Sequence, residues 1–341
     1  MSMTSGVSLE VLDLRHFSAP MLRPLLEAEA AVWRERLHWD YSASSRLLMQ
    51  YLDSHMLPGY AAVDAGRITA YAFCVYEDSK AVIGDVFAMD CQPMHSAADS
   101  GLLSNGPPQT PHEIERMLLR HLFETLQNSP QVDRIESQLL LHPAGSLFAV
   151  FNEAGFNLYR RLFMVQNLTA VHGQVRTAVP REFELRPWRE EDLAAAGRLI
   201  SEAYANHPDS LINDQYCSAH GSMRFLHNIV RYAGCGTFSP QVSHILIDRS
   251  TREMAGLVLG SRVSPQSGHI TQLCIRPLFR RRGLGRMLLH IAAAEFWRMG
   301  VGEISLTVTE ANSRAVELYQ SEGYDCRHSF DAAVWRRGIS A

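Results

Sequence analysis

In the first half of the chain, the spacing between hydrophobic residues changes from one segment to the next. Short alternating or apolar runs indicate strands, whereas longer runs with an apolar residue every three or four positions indicate helices. The predicted strands of this half lie at 10–14, 60–64, 69–76, 81–89, 134–141 and 160–168. The predicted helices lie at 20–35, 112–127 and 145–154.

The second half repeats this order after a segment whose Gly173 and Pro180 indicate a linker. Its predicted strands lie at 182–186, 243–248, 254–262, 268–275 and 303–308, with a final pair within 324–335. Its predicted helices lie at 283–299 and 313–321 and within 190–232, where His207-Pro208 breaks 201–232 into two. This order predicts an α/β fold with two domains, 1–170 and 182–341, joined by a linker at 171–181.

Two short matches indicate that the second domain duplicates the first. Arg116-Met117-Leu118-Leu119 recurs as Arg286-Met287-Leu288-Leu289, an offset of 286 − 116 = 170 positions. Gly155-Phe156 corresponds to Gly323-Tyr324, an offset of 323 − 155 = 168 positions. Because the two matches keep the same order and nearly the same spacing, they predict an internal repeat.

The segment from Cys274 to Leu289 carries the most informative chemistry. It predicts a strand end, an arginine-rich turn with Gly283 and Gly285, and an amphipathic helix. Glycines let a ligand approach the backbone, and a helix N-terminus offers unpaired N–H groups and the positive end of its dipole. The turn therefore predicts a pyrophosphate site. Arg286 stands where a P-loop needs lysine, and the third glycine and acidic residue of a dinucleotide-binding fold are missing.

Two motifs resemble those of the GCN5-related N-acetyltransferase (GNAT) family. Arg280-Arg281-Arg282-Gly283-Leu284-Gly285 resembles the family's Arg/Gln-x-x-Gly-x-Gly/Ala motif. The segment from Asn312 to Tyr324 resembles its Asn-x-x-Ala-x-x-Leu-Tyr-x-x-x-Gly-Phe/Tyr segment, and the two stand in the family's order. The resemblance implies two tandem GNAT-like domains, each a mixed, mostly antiparallel twisted sheet flanked by helices.

The resemblance also implies an acyltransferase that moves an acetyl group from acetyl-CoA to a primary amine by direct attack in a ternary complex. It implies that Tyr319 is the acid for the leaving thiolate, since a phenol of pKa about 10 suits a thiol of about 8.5. The residues implied to bind the co-substrate are Leu273, Cys274, Ile275, Arg280, Arg281, Arg282, Gly283, Leu284, Gly285, Arg286 and Asn312. A non-catalytic acyl-CoA-binding or interaction module is the alternative, and transfer of longer acyl chains stays open.

The general base is left open between several residues. His269 precedes the turn on the predicted strand, and period-two counting places it on the face of Thr271, Leu273 and Ile275. An imidazole of pKa about 6.5 suits a base, but a histidine at an exposed strand start is an equal alternative. Glu310 is a second candidate. The loop around 204–216 adds Asp209 and Asp214, which either attract an ammonium group or simply solvate the loop.

The first copy differs where the chemistry is expected. Glu113 and Glu115 stand opposite the two glycines of the turn, and Phe151 stands opposite the tyrosine. A Ser/Gly/Pro-rich insertion at 90–111 replaces the tight turn. Because carboxylates at a helix N-terminus repel a pyrophosphate, we expect 1–170 to be a degenerate domain that does not bind CoA at its own turn.

Composition sets the remaining expectations for this chain of 341 residues. The formal net charge of −4 favours neither nucleic acid nor an anionic membrane as partner. No signal peptide is visible in 1–30 and no apolar run of about 18 residues occurs, so we expect a cytoplasmic protein. The six cysteines form no Cys-x-x-Cys pair, so we expect no metal. The expected partner is a small-molecule or peptide amine, and the chain is expected to be a monomer or homodimer.

Overall fold

The computed structural model describes residues 9–89, 110–170, 172, 178–232, 234 and 236–338. Its contacts divide the chain into two compact units. The first unit comprises Met1–Trp33, Ser44–Leu158 and Asp331–Ala341, and the second comprises Arg34–Ala43 and Tyr159–Phe330. Within the described part of the chain, no helix is both long and apolar enough to cross a membrane.

The first unit contains a six-stranded sheet in the order β1-β2-β3-β4-β5-β13. Its strands are β1 (Glu10–Asp13), β2 (Gly59–Asp64), β3 (Arg67–Glu77), β4 (Lys80–Ala88), β5 (Arg134–Gln138) and residues 332–336 of β13 (Asp325–Arg336). Its helices are α1 (Ala19–Leu37), α2 (Ser42–Asp53), α3 (Pro111–Asn128) and α4 (Phe148–Glu153), α1 and α2 sharing their facing ends with the second unit. All neighbouring strands are antiparallel except β4 and β5, which α3 connects.

The second unit contains a sheet in the order β6-β12-β11-β10-β9-β7, with β8 paired to β10. Its strands are β6 (Asn157–Asn167), β7 (Phe183–Pro187), β8 (Thr237–Phe238), β9 (His244–Asp248), β10 (Met254–Arg262), β11 (Ser267–Ile275) and β12 (Glu303–Thr309). Its helices are α5 (Leu193–Ala203), α6 (Asp209–Ile212), α7 (Ala219–Arg231), α8 (Leu284–Arg298) and α9 (Ser313–Ser321). As in the first unit, a helix connects two parallel strands, here β11 and β12 through α8.

Each unit takes one strand from the other half of the sequence. Residues 332–336, near the end of the chain, pair with β5 in the first unit. The strand β6, from the first half, pairs with β12 in the second unit. The predicted domain boundaries describe copies of the sequence rather than compact units, and they stay a prediction. Much of the predicted linker and residues 90–109 of the insertion lie outside the described residues.

The predicted mixed α/β fold, with a largely antiparallel twisted sheet flanked by helices, is confirmed. Several predicted elements have different bounds. The strand expected at 134–141 ends at Gln138, and helix α2 was absent from the prediction. The expected strand pair at 324–335 is one continuous strand, β13, because this segment contains no glycine or proline to form a turn.

Two apolar layers enclose the sheet of the second unit. On one face, α8 packs its buried Leu284, Leu288 and Phe296 against the sheet. On the other face, buried residues of α5 and α7 such as Leu199 and Leu226 pack against β9 and β10. Because both faces are covered, an opening between strands is the main route by which a ligand reaches the interior of this unit.

Candidate active site

The two parallel strands of the second unit separate and leave a cavity between them. Their pairing runs only from Ser267–Ile270 on β11 to Glu303–Leu306 on β12. Just beyond, Gln272 pairs with Leu259 and Ile270 with Gly260, so Thr271 is an extra residue that forms a β-bulge. A bulge bends its strand and breaks the ladder, which accounts for the divergence. The resulting cavity, of about 510 Å³, is lined by residues of both strands and by the turn before α8.

The turn before α8 leaves the helix N-terminus without a protein cap. Arg281 and Gly283 have φ angles of 62° and 76°, in the left-handed region. Gly283 is the N-cap residue, and it has no side chain to accept from the first N–H groups of the helix. A turn that alternates left- and right-handed residues collects N–H groups in a concave arrangement suited to anions. The N–H groups at the start of α8 are therefore not capped by the side chain of the N-cap residue.

The side chains of two arginines of the turn bind other groups of the protein. The guanidinium of Arg280 donates to the carbonyl oxygens of Ile275 (3.2 Å) and Ala203 (2.5 Å), which ties β11 to the end of α5. Arg282 pairs with Glu182 and lies over the rings of Phe183 and Phe279. Arg282 is also the one predicted cofactor-binding residue that does not line the cavity within the described part of the chain.

Other arginines remain available at the cavity mouth. Arg286 lines the cavity but pairs with Glu322. Arg281 and Arg314 line it without an ion pair among the residues that the structure describes. Arg314 lies within the second motif, but its position in the motif does not by itself show that the start of α9 faces the turn. These two guanidinium groups are the ones positioned to meet an anion.

Asn312 and Tyr319 enter the cavity from α9. Asn312 caps this helix by accepting the Ala315 N–H (3.4 Å), and its Nδ2 lies 3.2 Å from Nε2 of His207. Tyr319 is 9% exposed, and its hydroxyl makes no hydrogen bond within the described part of the chain. Burial, and next the charge of Asp209, raise the pKa of Tyr319 well above its ordinary value. The phenol therefore stays protonated and free to donate into the cavity.

The loop after α5 is fixed in place by aromatic stacking. Tyr204 and Tyr216 stack with ring centroids 4.5 Å apart, and Tyr216 meets Phe225 of α7 edge-on at 5.0 Å. The hydroxyl of Tyr204 donates to Oε1 of Gln272 on β11 (3.2 Å). This anchoring brings Asp209 into the lining of the cavity, while Asp214 stays outside it. Of these two aspartates, for which an ammonium contact and loop solvation were both left open, Asp209 lines the cavity among the described residues.

His269 is placed away from the cavity. It is buried, with its Nδ1 2.9 Å from the hydroxyl of Ser305 and its ring 4.9 Å from that of Trp39. Burial lowers its pKa to about 3, so the ring remains neutral. The face assigned to it from period-two counting is wrong, because the bulge at Thr271 shifts the alternation by one residue. His269 and Glu310 are both absent from the cavity lining among the described residues, so neither is carried forward as the base.

The edge of β11 beyond Ile270 forms one wall of the cavity, and Leu273, Cys274 and Ile275 all line it. Burial raises the pKa of the Cys274 thiol to about 12, so this cysteine is a packing group and not a nucleophile. No group of three or more histidine, cysteine, aspartate or glutamate side chains arranged for a metal ion occurs among the described residues.

Residues 210–324 match the family model of the acetyltransferase (GNAT) family. The chain is 39% identical over 70 residues to mycothiol acetyltransferase of Geodermatophilus obscurus, a stretch that covers 20% of this chain and 22% of that protein. It is 42% identical over 53 residues to [ribosomal protein bS18]-alanine N-acetyltransferase of Salmonella typhimurium, covering 16% of this chain and 36% of that protein. The matched stretches thus span well under half of either relative.

Solved structures resemble the chain over nearly its whole length. A GCN5-related N-acetyltransferase from Sphaerobacter thermophilus aligns with a TM-score of 0.63 at 16% identity, covering 100% of this chain and 99% of that one. A tandem GNAT protein from the clavulanic acid biosynthesis pathway aligns with a TM-score of 0.56 at 13% identity, covering 98% and 100%. These likenesses concern the fold. The family match concerns residues 210–324, and the structural likenesses show that nearly the whole chain has a tandem GNAT fold.

Proposed function

We propose that the chain is an N-acetyltransferase that moves the acetyl group of acetyl-CoA to a primary amine by direct attack in a ternary complex. The observation that carries this proposal is one continuous cavity. It joins the uncapped N-terminus of α8, the open edge of β11 and the unpaired hydroxyl of Tyr319. The acceptor amine and the location in the cytoplasm stay predictions from the sequence.

The residues of the cavity fit acetyl-CoA, which when bound supplies an acetyl group already activated as a thioester. The N–H groups at Gly283–Arg286, with Arg281 and Arg314, would hold the pyrophosphate. The edge of β11 from Thr271 to Ile275 would align the pantetheine arm, since its pairing to β12 stops at Ile270. Backbone N–H groups along such an edge can also polarise the thioester carbonyl.

Tyr319 is the residue that we assign as the acid for the leaving thiolate. Its buried hydroxyl lines the cavity, and no protein group among the described residues takes up its proton. Because its pKa is raised, it acts by donating a hydrogen bond and passing a proton on, rather than by ionising beforehand.

We further propose that the first copy does not bind acetyl-CoA at its own turn. The first N–H groups of α3 are engaged by the protein: Thr110 accepts from the N–H of Glu113 (3.3 Å), and the Glu113 carboxylate accepts from the N–H of Thr110 (2.7 Å). This capping box supports the expectation drawn from the aligned glutamates, because it fills the position that a pyrophosphate would need.

The assigned role of Tyr319 is tested with Tyr319→Phe, which removes only the hydroxyl. We expect release of free CoA thiol in the presence of a panel of primary amines to fall by about 100-fold, with acetyl-CoA affinity unchanged. Tyr324→Phe is the matched control, since Tyr324 packs 5.8 Å from the Tyr319 ring but does not line the cavity.

Two results would count against this assignment. Equal turnover of wild type and Tyr319→Phe would remove the acid role. Tight acetyl-CoA binding without acetylation of any amine would favour a non-catalytic acyl-CoA-binding module.

A further inference from the structure

The acceptor end of the cavity contains a buried carboxylate that the proposed mechanism has not used. Asp209 is 8% exposed and lines the cavity at the start of α6. Its charge acts on the hydroxyls of both Tyr319 and Tyr204, raising the pKa of each. Asp209 and Tyr319 line the same cavity. Burying a carboxylate is costly unless the protein compensates it, so its immediate partners are informative.

Asp209 is held by a hydroxyl that lies between it and a buried guanidinium. Thr309 Oγ1 donates to Oδ1 of Asp209. The same hydroxyl oxygen lies 3.5 Å from Nη1 of Arg161, and Nη2 of Arg161 donates to Thr307 Oγ1 (3.2 Å). Arg161 is 9% exposed and makes no ion pair among the described residues. The arrangement is an Asp–Thr–Arg series in which the positive charge faces the carboxylate across one hydroxyl.

The neighbouring histidine holds the loop through a hydrogen bond at Nδ1. Nδ1 of His207 accepts the backbone N–H of Asp209 (3.2 Å), and Nε2 lies 3.2 Å from the side-chain amide of Asn312. Burial lowers the pKa of His207, which keeps the ring neutral. His207 thus shapes the loop that carries Asp209, while the carboxylate itself faces the cavity. The charged and titratable groups around Asp209 are His207, Tyr204, Tyr319 and Arg161.

Resting on the proposed function, we infer that Asp209 binds the acceptor as an ammonium ion and takes its first proton, with Thr309 and Arg161 as positioning residues. Two proton transfers accompany the reaction. The ammonium gives one proton to Asp209, and from there it reaches solvent. The amine then forms the C–N bond as the C–S bond breaks. The remaining surplus proton on nitrogen passes through the Tyr319 hydroxyl to the departing sulfur. The substrate class is therefore a primary amine that is protonated in solution.

Thr309 and Arg161 have separate roles in this arrangement. The Thr309 hydroxyl fixes Oδ1 of Asp209, which leaves Oδ2 for the ammonium. Arg161 places a positive charge near the carboxylate without forming an ion pair with it, because a direct ion pair would compete with the substrate. Arg161 and Thr309 come from the paired strands β6 and β12, where Arg161 is the register partner of Thr309. The rigid ladder thus sets the distance between guanidinium and carboxylate.

The test compares nucleophiles that differ in protonation. Transfer from acetyl-CoA is measured at pH 7.5 with primary alkylamines (ethylamine, spermidine, an α-amino acid and a peptide with a free N-terminus), which are protonated, and with hydroxylamine, which is neutral. For Asp209→Asn we expect kcat/KM to fall about 100-fold for the best alkylamine and about threefold or less for hydroxylamine. Asp325→Asn, an exposed aspartate of the same unit, is the matched control.

A second pair of variants tests the positioning role. We expect Thr309→Val to lower kcat/KM for the alkylamine about tenfold and to move the acidic limb of its pH profile upward, whereas Thr309→Ser keeps the hydroxyl and restores both. Equal losses for the two nucleophiles in Asp209→Asn, or no loss, would overturn the inference while leaving the proposed function intact. Failure of wild type to acetylate any of the amines, with acetyl-CoA bound, would overturn both.

Discussion

The helices α3 and α8 each connect the parallel strands of their own unit, but they begin in opposite ways. In the first unit, β4 and β5 pair only from Lys80–Ile83 to Arg134–Ser137, the same short ladder that β11 and β12 make in the second. Helix α3 then starts with a complete capping box at Thr110 and Glu113. Helix α8 starts at Gly283 with no side-chain cap. The same connection between parallel strands therefore gives either a helix N-terminus whose N–H groups are capped by the protein or one whose N–H groups are left open for an anion.

The side chain of Glu115 sharpens this contrast. Its Oε1 accepts the N–H of Ala88, near the end of β4 (3.3 Å). Its Oε2 lies 3.2 Å from Nδ1 of His112 and 3.3 Å from Nε2 of His142. The aligned residue of the second copy is Gly285, whose position leaves the corresponding strand edge open to the cavity. The first copy thus fills with its own carboxylate the region where the second would receive a ligand.

The largest effect on stability is expected from Glu115→Ala. The change leaves two histidines and a backbone N–H without their buried partner, so we expect the free energy of unfolding to fall by about 3 kcal/mol. Denaturant unfolding measures it, with Glu124→Ala on the exposed face of the same helix as the matched control. A loss no larger than in the control would mean that Glu115 does not hold the first unit together.

We expect the contribution of Glu115 to the free energy of unfolding to depend on pH. Burial acts to raise its pKa, but hydrogen bonds and charges from His142 and His112 hold the pKa below its ordinary value of 4.5. A lowered folded-state pKa gives stability that is present above about 4.5 and is lost as pH falls through the folded value. The difference between wild type and Glu115→Ala is therefore expected to shrink in acid.

A smaller effect is expected from the arginines at the open helix end. Arg281→Ala and Arg314→Ala should each weaken acetyl-CoA binding about tenfold, since each removes one charge-assisted contact. Arg282→Ala, in the same motif, should leave it unchanged because Arg282 pairs with Glu182. Calorimetric titration at two salt concentrations measures all three variants. A larger loss for Arg282 than for Arg281 would contradict the assignment of the phosphate-binding arginines.

The smallest expected effect is an increase in stability. In the first unit Asp85 is hydrogen-bonded to Glu29, which also accepts from Trp33 (3.2 Å) and Tyr71. Burial, and next the charge of Glu29, raise the pKa of Asp85 well above its ordinary value, so stability falls as pH rises toward the folded value. Asp85→Asn keeps the hydrogen bonds without needing the proton. We expect about 1 kcal/mol greater stability at pH 8 and none at pH 4, measured by thermal unfolding.

The sequence predicted the fold and named part of the cavity lining, because these depend on local signals. The glycines of the turn and the spacing between Asn312 and Tyr319 identify residues that the backbone brings together independently of side-chain packing. The bulge at Thr271 carries no such signal, and it moved His269 into the core. The pairing of Arg161 with Thr309 could also not be predicted from the sequence, because it joins strands from different halves of the chain. The contact between Asp209 and Thr309 could not be predicted for the same reason, since only folding brings these residues together.

The most direct test of one open and one closed helix end is calorimetric titration of acetyl-CoA into wild type and Gly283→Glu. The variant copies Glu113 of the first copy at a position where φ is 76°, which strains any side chain, and where no atom of the described residues lies within 4 Å of an added Cβ. We expect its carboxylate to repel a pyrophosphate at this turn. We expect one site per chain in wild type and loss of that site in the variant. Two sites per chain, or one site that survives Gly283→Glu, would contradict the account.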